Sequence, residues 1–101
     1  FIFPSTIETF GNPLLEAMAC GAPIACSNTA AMPEIAKDAA LYFNPAEPED
    51  IARKIIQLTD DKVLLTSLSQ KSLARAELFS WEVTAEKTIK VIKSASIAQK
   101  M

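Results

Sequence analysis

Short apolar runs alternate with helical patterns along the first half of the chain, and helical patterns alone fill the second half. Phe1-Ile2-Phe3 ends at Pro4-Ser5 and reads as a buried strand closing into a loop. Gly11-Asn12-Pro13 is a helix-start signal, with Asn12 as N-cap and Pro13 at the first helical position. The segment from Leu14 to Cys20 is apolar almost all round, which predicts a helix buried on most faces and stopped by Gly21. Pro23-Ile24-Ala25-Cys26 reads as a second strand, Met32-Pro33-Glu34-Ile35 as the start of a short helix, and residues 39–43 as a third strand.

From Pro48 the period becomes helical. Ile51, Ile55 and Leu58 share one face, and Glu49 and Asp50 stand in the first turn, where the helix dipole favours acids. Residues 62–78 form another helical stretch, with Val63, Leu64, Leu68 and Ala74 as inner positions. Ser80 caps a last helix whose apolar stripe is Trp81, Ala85, Ile89 and Ile92, bordered by Thr84 and Thr88. Apolar strands separated by helices predict an α/β fold with a parallel sheet covered on both faces. The order β-α-β-α-β with trailing helices matches the second half of a doubly wound, Rossmann-like sheet. The first half is then expected upstream of Phe1, with the sheet open at the first strand.

Composition narrows the field. Half of the 101 residues are apolar and only two are glycine, which excludes a disordered linker. Ten basic residues against twelve acidic ones give no electrostatic footprint for nucleic acid or anionic lipid. No apolar run reaches the roughly 18 residues of a membrane span. Histidine is absent, which removes the commonest general base and zinc ligand. Cys20 and Cys26 sit among small apolar residues and read as buried, reduced thiols, as expected of a cytoplasmic protein. The chain opens without an initiator Met and reads as a piece of a longer one.

The placement of charge is more informative than its amount. Residues 1–33 contain only two charged side chains, Glu8 and Glu16, and all ten basic residues come later. A carboxylate in an apolar surround is costly to desolvate, so these two mark the first place to look for chemistry. They flank a strand-end-to-helix-start junction, where open α/β sheets bind ligands. The helix start offers a positive dipole end to a phosphate, and Gly11 allows close backbone approach. Pro13 has no N–H, so amide donors fall to Leu14 and Leu15. Each feature also has a plain structural reading: Glu16 as a stabilising acid near a helix start, Glu8 as a loop acid, Gly11 as a turn residue. A full P-loop and a G-x-G-x-x-G are both absent, and the latter excludes a dinucleotide-binding oxidoreductase half.

The run from Pro4 to Asn28, with Glu8 and Glu16 separated by seven residues and Ala17-Met18-Ala19-Cys20-Gly21-Ala22-Pro23 behind them, resembles the retaining GT-B glycosyltransferases of family 4. The likeness continues through Met32-Pro33-Glu34, Leu41-Tyr42-Phe43-Asn44-Pro45 and Phe79-Ser80-Trp81. It implies that residues 1–79 are the C-terminal half of a nucleotide-sugar-binding domain, the C-terminal domain of a GT-B fold. Residues 80–101 would form a helix packing toward a missing N-terminal domain. In that family the first glutamate, here Glu8, contacts the donor sugar and helps stabilise the reacting centre. Phe10, Gly11 and Asn12 match the loop that touches the sugar, Leu14 and Leu15 the helix start beside the diphosphate, and Glu16 the ribose-binding glutamate. Glu34 is read as structural, and Thr9 stands where the family often has Gly or Ser.

The implied activity is transfer of a hexosyl group from a nucleotide sugar with retention of anomeric configuration, by the full-length protein rather than by this piece alone. The acceptor, a glycan, lipid or small molecule, would be held by the missing domain, and diphosphate-neutralising Arg and Lys would come from upstream. No cofactor and no metal are expected: two isolated Glu without a His or Asp cluster do not make a cation cage. The expected location is cytoplasmic, with room for peripheral association at the inner membrane face, and no nucleic-acid partner. A non-catalytic sugar-nucleotide-binding or assembly module of the same fold is the alternative.

Overall fold

β1 (Ile2–Phe3), β2 (Ile24–Ser27) and β3 (Ala40–Phe43) form a parallel sheet in the order β1-β2-β3, in a computed structural model that describes residues 1–7 and 11–100. Ile2 and Phe3 pair with Ala25 and Cys26, and residues 24–27 pair in step with residues 40–43. β2 begins just after Pro23, which has no N–H to give a ladder. The strand runs one residue further than its apolar pattern indicates, to Ser27, which pairs with Phe43 and whose buried hydroxyl donates to the Phe3 carbonyl, 3.3 Å away.

Five helices accompany the sheet: α1 (Asn12–Ala19), α2 (Met32–Ala36), α3 (Pro48–Asp60), α4 (Lys62–Ala76) and α5 (Trp81–Lys100), with a 3₁₀ turn, Lys37–Ala39, after α2. Successive side chains of a strand point to opposite faces, so β2 serves two cores. Ile24 and Cys26 join Leu14 and Met18 of α1, Met32, Ile35 and Ala36 of α2, and Ala40. Ala25 joins Phe43, Leu58 of α3 and Leu68 of α4. Every residue of β2 is buried, as a middle parallel strand requires.

Hydrogen bonds tie α4 to the first layer. Ser72, fully buried on α4, donates its hydroxyl to the Ala22 carbonyl at 2.9 Å, and Ser69 donates to the Gly21 carbonyl. Arg75 donates from Nε to the Ile35 carbonyl at 2.7 Å and from Nη2 to the Glu34 carbonyl at 3.1 Å. These carbonyls lie at the C-terminal end of α2, where helix oxygens lack partners of their own. The guanidinium also stands 4.9 Å from the centre of the Phe79 ring.

Two inner positions expected on α4 prove to be exposed. Val63 is 82% exposed, and Ala74 also faces solvent. The buried line instead runs through Leu68 and Ser72, and Ala74, two residues beyond Ser72, points about 200° away around the helix. A serine on the inner line hides it from an apolar count. The last helix starts as expected, with the Ser80 hydroxyl accepting from the Val83 N–H at 3.1 Å. Its stripe does not fold back on the sheet: Ile89 is 50% and Ile92 61% exposed.

Gly21 ends α1 by geometry. Its φ is +74°, its N–H donates to the Met18 carbonyl at 2.9 Å, and the Ala22 N–H donates to the Ala17 carbonyl at 3.0 Å. A methyl group added there would stand 3.2 Å from Leu73 Cγ. Gly21→Ala is therefore expected to lower stability by about 1–2 kcal/mol from the left-handed backbone alone, with crowding of Leu73 added. Denaturant melts of wild type and variant, read at unchanged m-value, measure it.

Candidate functional site

The candidate site forms where the chain leaves β1 and enters α1. Gly11, with φ +82° and ψ +55°, caps the helix, and Asn12 is its first residue. This moves the expected N-cap back by one. The Asn12 side chain makes no cap hydrogen bond; the left-handed turn at Gly11 does the work of entry instead. The Gly11 carbonyl accepts from the Leu14 N–H at 3.0 Å and from the Leu15 N–H at 3.3 Å.

Packing fixes this corner. Gly11 is buried, and a Cβ built on it would meet Met32 Cε at 3.3 Å and the Phe3 ring at 3.6 Å. Leu14 is fully buried and Leu15 half-buried, so their side chains belong to the core and only their backbone faces the helix start. Asn12 and Glu16 are both exposed. Four residues apart on one helix, they are surface neighbours.

The structure thus brings Gly11, Asn12, Leu14, Leu15 and Glu16 together at the start of α1, with Gly11 packed beside Phe3 of β1. Glu8 and Phe10, two of the four residues matched to the donor sugar, lie outside the described residues. Glu34 is exposed on the first turn of α2, and its backbone carbonyl, not its carboxylate, takes part in the fold through Arg75. Two supporting residues have no motif to announce them, Ser72 on the inner line of α4 and Arg75 at the end of that helix, while Met32, under Gly11, lies in the Met32-Pro33-Glu34 run. Arg75 could have been singled out as a cation near a helix C-terminus, but its bonds go to carbonyls 40 and 41 residues back in the chain.

A parallel sheet with β1 at its edge and a glycine-led helix start after that strand is an α/β fold, Rossmann-like in its half. The same fold occurs in the GT-B sucrose-phosphate synthase of Thermosynechococcus elongatus, which superimposes with a TM-score of 0.85 at 26% identity, over 96% of this chain and 25% of that one. Residues 1–75 match the family Glycosyl transferases group 1, and the chain belongs to that family. It is 40% identical to the O-antigen chain mannosyltransferase B of Escherichia coli over 92% of its own length and 24% of that protein's. It is 34% identical to the MMP alpha-(1->4)-mannosyltransferase of Mycolicibacterium hassiacum, over 91% of this chain and 23% of that one. The chain therefore spans about a quarter of the length of these relatives.

Both cysteines are free thiols, but they differ in burial. Cys26, on β2, is fully buried, and burial pushes its thiol up to about 12. Cys20 is exposed, contrary to its apolar setting in sequence, because it caps α1 on the side turned to solvent. Iodoacetamide at pH 8 is expected to label Cys20 in the folded protein and to reach Cys26 only in denaturant, as read by peptide mass spectrometry. With its folded value raised, the Cys26 thiol adds stability that is complete below an unfolded value of about 8.5 and fades as pH climbs toward 12.

Proposed function

We propose that this chain is the C-terminal, donor-binding part of a retaining glycosyltransferase that moves a hexosyl group from a nucleotide sugar to an acceptor. The carrying observation is Glu16. It is an exposed carboxylate one turn beyond the left-handed Gly11, at the strand end where such sheets take nucleotides. A carboxylate there can accept from both hydroxyls of a ribose. Backbone amides of the loop Phe10, Gly11 and Asn12 contact the sugar, and Glu8 stabilises the reacting centre. The mannosyltransferases among the relatives support a hexose as the group moved.

The diphosphate lies against the start of α1. The Leu14 N–H, in the tighter i to i−3 bond with Gly11, is the amide that can be shared with a phosphate oxygen. The Leu15 N–H is already the first regular helix bond, so it acts through the dipole. Two or more phosphate charges need cations as well. These, with the acceptor site, come from the parts of the protein upstream. The exposed stripe of α5 docks against that remainder. Free thiols fit a cytoplasmic setting.

The two carboxylates separate in experiment. In the full-length protein, Glu16→Ala should weaken both nucleoside diphosphate and nucleotide sugar by roughly 10- to 100-fold, the worth of a charged hydrogen-bond acceptor. Glu8→Ala should leave diphosphate affinity nearly intact and lower kcat, since contacts tightened in the transition state speed the chemistry. Calorimetry with the diphosphate and steady-state kinetics with the donor make the comparison. Equal losses of diphosphate affinity in both variants would defeat the assignment.

A further inference from the structure

The Gly11 turn leads into α1, its carbonyl accepting from the Leu14 and Leu15 N–H groups. Among the described residues, the flexible side chain of Met32 and the ring of Phe3 pack beneath it. Met32 is fully buried at the start of α2, its N–H donating to the Thr29 carbonyl at 3.3 Å. Its thioether lies under Gly11, with Cε 3.3 Å and Sδ 3.5 Å from the place a Gly11 Cβ would occupy. The Phe3 ring closes the same seat from the β1 side, 3.6 Å from that point. α2 itself is anchored, because Arg75 of α4 binds its last carbonyls.

We propose that Met32 is a positioning residue for sugar transfer, setting the height of the Gly11 turn and so the placement of the sugar-facing residues beside it. The chain of contact runs from Arg75 through α2 to Met32, and from Met32 to Gly11. Methionine suits the position because its unbranched end fills the gap that a left-handed glycine leaves, where a shorter side chain would let the turn sink. Misplacement of a loop by a fraction of an ångström costs rate rather than ground-state affinity, and a shift of about 1 Å can cost up to about a hundredfold. Glu16 stands further along α1, where the helix's own bonds and the buried Leu14 and Met18 hold it. Loss of the Met32 contact therefore reaches the sugar before the ribose.

The inference rests on the donor-site reading above, and its test separates the two. Met32→Val removes the end of the side chain under Gly11, and Met32→Leu keeps its volume. In the full-length protein, kcat per folded molecule is measured with the nucleotide sugar below the melting point of the weakest variant, beside calorimetry with the nucleoside diphosphate. Met32→Val is expected to lower kcat about tenfold with diphosphate affinity within about twofold of wild type, and Met32→Leu to restore most of the rate. A purely structural Met32 would lower the melting temperature and leave kcat per folded molecule unchanged, and that result overturns the proposal. Glu16→Ala is carried through the same assays. Should it keep wild-type diphosphate affinity, the ribose assignment falls while the Met32 comparison of kcat still stands or falls by itself.

Discussion

β2 has no solvent side. Parallel neighbours occupy both of its edges and helices cover both of its faces, so its four residues are chosen for size and for the absence of unpaired polar atoms. That one constraint orders the rest. Ile24 and Cys26 call for α1 and α2 on one face, and Ala25 calls for α3 and α4 on the other. Ser27, the one polar residue on the strand, is accepted because its hydroxyl finds the Phe3 carbonyl across the pair. With both faces closed, the free approach to the sheet is at the strand ends, and the loop after β1 lies there.

The same economy of polar groups explains the charge map. Residues 1–33 build most of the first core, and a charged side chain among them would have to be desolvated or turned outward. Glu16 is turned outward on α1, beside Asn12 and clear of the buried Leu14 and Met18. The later helices have a wet face to spare and carry their acids there. Asp50 illustrates how such charges become structural: it accepts from the Asn44 N–H at 2.7 Å and pairs with Arg53 at 3.1 Å, which holds its carboxyl below the usual range.

The elements of this fold were legible because each is marked locally. Pro13, Pro33 and Pro48 sit at helix starts and Gly21 at a helix stop, with one apolar run before them and two between them. The family likeness singled out Glu8 and Glu16 as candidate site residues because the two glutamates keep its spacing. What could not be read was set by partners distant in sequence. Ser72 looks like a surface serine until Ala22 comes within reach, fifty residues back. Ala74 looks like core until the true inner line is drawn through that serine. Gly11 rather than Asn12 caps α1 because the backbone there is left-handed, φ +82°, packed over Met32 and Phe3, which the pattern around Asn12 and Pro13 does not announce. Cys20 follows the same logic in reverse, apolar by neighbourhood and exposed by its place at a helix end.

Arg75 also bears on the long helix beyond it. By gripping the end of α2 and lying against Phe79, it fixes the point from which the chain departs only one residue before Ser80 and α5. α5 is twenty residues long, with exposed Ile89, Val91 and Ile92 along it. At 1.5 Å per residue it makes an arm of about 30 Å, so a rotation of roughly 10° at its root sweeps the tip through about 5 Å. An anchored root and a long arm turn small angular differences in the linker at Ser80 into displacements as large as a side chain at the tip, so the angle set beside Arg75 decides where the exposed stripe is presented.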